Sequence, residues 1–114
     1  MKTALIFPGQ GAQFVGMGKD LYERYDIAKA MFAKADDVFG EKISDICFNG
    51  PEETLKETLY QQVAIYTVSA VAYAVWKERG EAVICTAGLS LGEYTALYAA
   101  GVVTFEEGLK LVKK

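Results

Sequence analysis

Histidine is absent from all 114 residues. Imidazole is the usual base beside a catalytic serine, so no side chain of this chain supplies one. Basic charge is also scarce: 12 Lys and Arg face 15 Asp and Glu, a net charge of −3. Nucleic acid and anionic membrane surfaces call for a basic face, and both are excluded as partners. The one basic cluster is Lys110, Lys113 and Lys114, in the tail. The two cysteines, Cys47 and Cys85, lie too far apart for a metal-ligand or redox spacing. They read as buried free thiols in a reducing, cytoplasmic setting, with no metal site. The longest apolar run, Val63 to Trp76, is broken by Thr67 and Ser69. It falls short of the ~20 residues that cross a bilayer. Met1 to Phe7 is too short and too weakly charged for a signal peptide. Repeats, linkers and low-complexity tracts are missing too, so residues 1–114 read as one domain. Hydrophobic residues make up 52% of it, enough for a core.

The pattern that is present alternates short apolar runs with helical periodicity. Thr3 to Phe7 predicts a buried strand ending at Pro8-Gly9. Lys19 to Tyr25 predicts a helix with Leu21 and Tyr22 inward. Asp26 is positioned to cap a second helix, Ile27 to Phe39, stopped by Gly40. Its apolar positions are Ile27, Ala30, Met31, Ala35 and Val38. Ile43 to Phe48 reads as a short helix or turn, and Glu52 to Thr58 as a helix with Pro51 at its start. Tyr60 to Arg79 is the longest element, ended by Gly80; it is apolar almost all round and should be buried. A strand over Val83 to Ala87 and a helix over Leu91 to Ala100 follow, with a break at Gly101. Thr104 and Glu107 form a capping box for a last helix, Thr104 to Lys114. Two strands with intervening helices predict an α/β layer with parallel pairing. Two strands cannot cover themselves, so an oligomer or a complementing chain is expected to complete them.

Gly88-Leu89-Ser90-Leu91-Gly92 lies between the second strand and the helix after it. A serine on such a strand-to-helix bend is a nucleophile elbow. The hydroxyl must stand clear of the sheet, so the chain turns tightly between small residues. The helix that follows offers free N–H groups and a positive dipole end to a developing oxyanion. The Gly9-Gln10-Gly11-Ala12-Gln13 loop follows the first strand. It lacks the third glycine of a dinucleotide fingerprint and the Gly-Lys-Ser/Thr ending of a nucleotide loop. Its glycines instead let the Gln10 N–H approach a reacting oxygen without a Cβ clash. Gln62 is polar at an apolar helix start; it is either a satisfied amide or a group of the site. Tyr60, Tyr66, Tyr73 and Trp76 read as core. The pairs Asp36-Asp37 and Glu52-Glu53 read as solvated helix faces.

Taken together, Phe7-Pro8-Gly9-Gln10-Gly11-Ala12-Gln13, Gly16-Met17-Gly18, Gln62 and the block from Gly88 to Leu97 resemble the malonyl-CoA:acyl carrier protein transacylases. These are the malonyltransferases of fatty-acid synthesis, related to polyketide-synthase acyltransferase domains. The resemblance implies the amino-terminal part of an α/β-hydrolase-like acyltransferase core, with parallel strands and flanking helices. It also implies that the family's ferredoxin-like subdomain is absent from these residues. Ser90 would attack the thioester of malonyl-CoA to give a malonyl-serine ester. The phosphopantetheine thiol of an acyl carrier protein would then take the malonyl group. No cofactor is implied; malonyl-CoA is the substrate, and the phosphopantetheine is carried by the partner. The backbone N–H groups of Gln10 and Leu91 would form the oxyanion hole. Gln62, Gly9 and Gly11 would support the pocket.

The pattern departs from the family at three places. Leu89 stands where the family usually has histidine, which puts a different side chain in the pocket wall. Val63 stands where proline is common. The family's malonate-binding arginine would fall just beyond Lys114, and its histidine base much later. Two other readings stay open: a non-catalytic piece of the same fold, and a serine esterase.

Overall fold

The computed structural model describes residues 4–7, 9, 11, 13–78, 85–88 and 92–113. Helices dominate it: α1 (Lys19–Arg24), α2 (Asp26–Phe39), α3 (Ile43–Asn49), α4 (Glu52–Leu55), α5 (Thr58–Lys77), α6 (Gly92–Ala99) and α7 (Phe105–Lys113). Two four-residue strands, β1 (Ala4–Phe7) and β2 (Cys85–Gly88), pair with each other in parallel.

The expected α/β class is therefore corrected. Among the described residues no sheet layer lies between layers of helices, and the described core is drawn from helices and one loop residue, Met17. The reason is length. Two four-residue strands offer little surface, whereas α5 runs 20 residues through the middle of the molecule. Val63, Ala64, Ile65, Tyr66 and Thr67 are consecutive and all buried. At 100° per residue, five in a row cover the whole circumference, so α5 is enclosed by its neighbours.

α2 packs on α5 through Ala28, Phe32, Ala35 and Phe39, all buried at a 4-3-4 spacing. The stripe anticipated from periodicity was displaced from this one: Ile27, Met31 and Val38 flank it, and Ala30 is exposed. The larger phenylalanine rings take the centre because they bury more area. Phe32 meets Phe48 edge-on, with centroids 5.0 Å apart. Tyr22, expected inside, is exposed on one side while its ring lies 5.9 Å from Phe32. Asp26 is not a cap; Tyr25 is the residue before α2, and no side chain caps that end. Gly40 does end α2, with its N–H on the Asp36 carbonyl. The Glu52 helix stops at Leu55, and α5 starts earlier than anticipated, at Thr58.

Asp36 is not a solvated surface carboxylate. Its Oδ1 accepts from the Ser44 N–H at 2.9 Å, and its Oδ2 from the Ser44 hydroxyl at 2.6 Å. This ties the start of α3 to α2. Burial pushes the nearby Cys47 thiol up to about 12, and Asp36 adds to the shift. A thiol so protonated is inert.

α7 begins with the anticipated capping box. The Thr104 N–H donates to Glu107 Oε1 at 2.9 Å, and the Glu107 N–H donates to Thr104 Oγ1 at 3.1 Å. The Thr104 backbone N–H first, and the Thr104 hydroxyl second, hold the Glu107 carboxyl below the usual glutamate range. A depressed folded value means that the stabilisation is complete above the unfolded value and is lost as pH falls through the folded one. The melting temperature of Glu107→Ala should therefore lie below that of the parent at about pH 6, with the gap closing towards about pH 3. A gap independent of pH would show that the carboxylate does not serve as the cap.

Candidate active site

The parallel register aligns Phe7 with Gly88, so both strands end at the same level. The segments that leave them therefore start side by side: the glycine loop after β1, and residues 89–91 after β2. α6 begins at Gly92, so only three residues join strand to helix. Ligands of parallel strands gather at such carboxyl ends, where helix N-termini face the substrate. α6 packs against both strands and against α5 and α7, which fixes the direction of its N-terminus.

Ser90, Leu89, Leu91 and Gln10 lie outside the described residues. Of the remaining sequence candidates, Gly9 is half-buried and Gly11 exposed. Gly11 has φ +96°, in the left-handed region, and its N–H donates to Gln13 Oε1 at 3.1 Å. Gln13 therefore pins the loop in the bend that glycine permits. Gln62 sits half-buried in the second turn of α5. Among the described residues no hydrogen bond joins it to the loop or to α6. The glycine loop borders a cleft of about 250 Å³, lined by Gln13, Phe14, Val15, Glu52, Leu55 and Lys56. A cleft of about 430 Å³ lies at the C-terminal end of α6, lined by Tyr73, Ala74, Tyr98 and Ala99 among others. Among the described residues no three His, Cys, Asp or Glu side chains are grouped to hold a metal ion. No described helix is long and apolar enough to cross a membrane.

The far end of α6 is anchored to its neighbours. The Tyr73 hydroxyl donates to the Ala99 carbonyl at 3.0 Å, and the Tyr73 and Tyr98 rings meet edge-on at 5.7 Å. Gly101, at φ +82°, donates to the Tyr98 carbonyl, and Val102 donates to Leu97, both at 3.0 Å. This pair of bonds is a Schellman ending, which needs the left-handed glycine. Burial, and secondarily Tyr73, raises the Tyr98 phenol above its ordinary value.

Thr95 was not anticipated from sequence. It is fully buried in α6, and among the described residues its hydroxyl has no hydrogen-bond partner. Nothing in an Ala/Leu/Tyr-rich helix distinguishes such a threonine from a solvated one. An unpartnered buried hydroxyl costs about 1–3 kcal/mol. Thr95→Val keeps the shape and should raise stability by about 1 kcal/mol in denaturant titration. A loss of stability instead would mean that the hydroxyl has a partner in solution.

A serine between a short strand and a helix, beside a glycine-rich loop, is the arrangement of acyl-transfer proteins. The acyl transferase domain family matches residues 4–113, and the chain belongs to that family. The malonyl CoA-acyl carrier protein transacylase of Bacillus subtilis is 45% identical over 113 residues, covering 99% of this chain and 36% of that protein. The enzyme of that name from Synechocystis is 44% identical, covering all of this chain and 38% of its own length. The solved structure of the Synechocystis malonyl-CoA:ACP transacylase superposes with a TM-score of 0.93 over 99% of this chain and 38% of its own. A malonyl-transacylase solved in complex with a type II polyketide acyl-carrier protein gives 0.93 at 40% identity, covering 99% and 37%. The chain thus spans little more than a third of the length of these relatives.

Proposed function

We propose that residues 1–114 carry the nucleophile-bearing part of a malonyl-CoA:acyl carrier protein transacylase. The family match over residues 4–113 supports this reading. So does the pairing of Phe7 with Gly88, the strand ends that precede the glycine loop and the Ser90 segment in sequence. In this reading Ser90 Oγ attacks the thioester carbonyl of malonyl-CoA as its proton passes to a base. The C–S bond breaks, CoA leaves as the thiol after taking up a proton, and a malonyl-serine ester remains. The phosphopantetheine thiol of the carrier protein then attacks the ester: a C–S bond to the malonyl group forms, the C–O bond to Ser90 breaks, and the proton lost by the thiol returns to Ser90 Oγ. The N–H groups of Gln10 and Leu91 hold the oxyanion in both steps, each such donor being worth about 10²–10³-fold. Gln62, Gly9 and Gly11 shape the wall of the pocket, with Leu89 beside the serine.

A general base contributes about 10²–10⁴-fold, and no histidine of this chain can provide it. Incubation with malonyl-CoA should therefore yield a slow malonyl adduct on Ser90, read by intact mass and peptide mapping. A folded chain that never acylates would instead support the non-catalytic reading. Transfer to water in preference to a carrier thiol would support the esterase.

A further inference from the structure

The loop after β1 is anchored at its far end. The Gly16 N–H donates to the Cys47 carbonyl at 2.7 Å, and the buried Met17 donates its N–H to the Phe14 carbonyl at 3.2 Å. Nearer the strand there is less to hold it. Gly11 is exposed, and a Cβ built on it would meet nothing within 4 Å, so packing does not fix this residue. Its φ of +96° is a conformation that glycine adopts freely and leaves as freely. Among the described residues, one hydrogen bond restrains it: the Gly11 N–H donates to Gln13 Oε1 at 3.1 Å. Gln13 is half-buried and stands three residues before the Gly16 anchor. Its side chain carries the restraint of the anchored half back to the glycines.

We propose that Gln13 is a positioning residue for acyl transfer: by holding the Gly11 N–H, it keeps the Gln10 N–H preorganised for the oxyanion. This role rests on the reading of Gln10 as an oxyanion donor. The Gln10–Gly11 peptide is planar, so the Gly11 N–H and the Gln10 carbonyl turn together, and fixing one restricts the other. A donor stabilises developing charge most when it needs no reorganisation at the moment of reaction. The Gly11–Gln13 hydrogen bond is exposed, so water can replace it with little effect on stability. Its loss should therefore appear in the rate and not in the melting temperature. Gln13 also lines the cleft of about 250 Å³, so a part in binding substrate is the competing role.

The test follows malonyl labelling of Ser90 in the 114-residue chain, with imidazole added, over a range of malonyl-CoA concentrations. Gln13→Leu removes the acceptor at similar length, and Gln13→Glu keeps one. Removing an oxyanion donor outright costs about 10²–10³-fold, so loosening one should lower the saturating rate of Gln13→Leu by about tenfold. Its half-saturating concentration should stay within about twofold of the parent, as for an interaction made only in the transition state. Its melting temperature should move by less than about 2 °C. Gln13→Glu should label within about threefold of the parent, because a carboxylate accepts the same N–H. A Gln13→Leu chain as fast as the parent overturns the proposal and leaves the Ser90 reading standing. A change confined to the half-saturating concentration overturns it too, because the side chain would then act on binding. So does a Gln13→Glu chain as slow as Gln13→Leu, since the acceptor would not matter. A parent chain that takes no label defeats the transacylase reading and this role together.

Discussion

Ser90→Ala is expected to abolish the malonyl adduct. The ester in the proposed reaction is made to the Ser90 hydroxyl oxygen, which alanine lacks. Loss of a catalytic serine lowers turnover by as much as about 10⁶-fold where the rest of the machinery is present. In this chain the parent rate is expected to be slow for want of a histidine base, so the measurement is the adduct and not turnover. Added imidazole should accelerate labelling of the parent chain by supplying the missing acid–base function, and leave Ser90→Ala unlabelled. Cys47 should not take the label in its place, because burial keeps its thiol protonated. Labelling of Ser90→Ala at the parental rate would remove the serine from the mechanism. So would a parent chain that stays unlabelled even with imidazole.

Gly108→Ala is expected to be the most damaging small change in the core. Alanine in place of an interior helix glycine normally stabilises by about 1 kcal/mol. At this position an added Cβ would meet Tyr66, approaching its ring carbon Cζ to 2.9 Å and its hydroxyl closer still. Tyr66 cannot yield easily. It is fully buried, its ring stacks on Phe105 with centroids 5.6 Å apart, and its hydroxyl donates to the Phe105 carbonyl at 2.9 Å. Moving it forfeits that hydrogen bond inside the core, and burial already holds its phenol well above the ordinary value. Overpacking costs about 1–3 kcal/mol and an unsatisfied buried hydroxyl a similar amount, so a loss of about 3 kcal/mol is expected. Denaturant titration measures it. Tyr66→Phe removes the atom in closest conflict, so the double variant should lose less than the sum of the two single losses. A Gly108→Ala protein as stable as its parent would mean that α7 can move away from α5 at little cost.

Local chemistry was legible wherever a few adjacent residues decide the outcome. Gly40 and Gly101 end helices where the sequence puts them, and Thr104 with Glu107 caps α7 as its spacing predicts. The mostly apolar run from Val63 foretold a largely buried helix, and Val63 to Thr67 are buried all round. The failures share a different cause. On α2 the same residues permit two neighbouring stripes, and contact with α5 and Phe48 selected the one carrying Phe32 and Phe39. Asp36 looked like a solvated carboxylate until α3 brought Ser44 against it. The α/β class was inferred from the order of elements, but among the described residues the core gathers from helices around the 20-residue α5.

By itself the sequence determined the chemistry on offer: one serine between glycines after a strand-forming run, a glycine loop after another, and no imidazole. Those are properties of neighbours along the chain, and short-range stereochemistry is enough to read them. Only the tertiary structure decided that β1 and β2 end at one level and that Tyr66 fills the space above Gly108. Each of these depends on which distant segments meet, and packing between helices selects among arrangements that periodicity alone leaves equally acceptable.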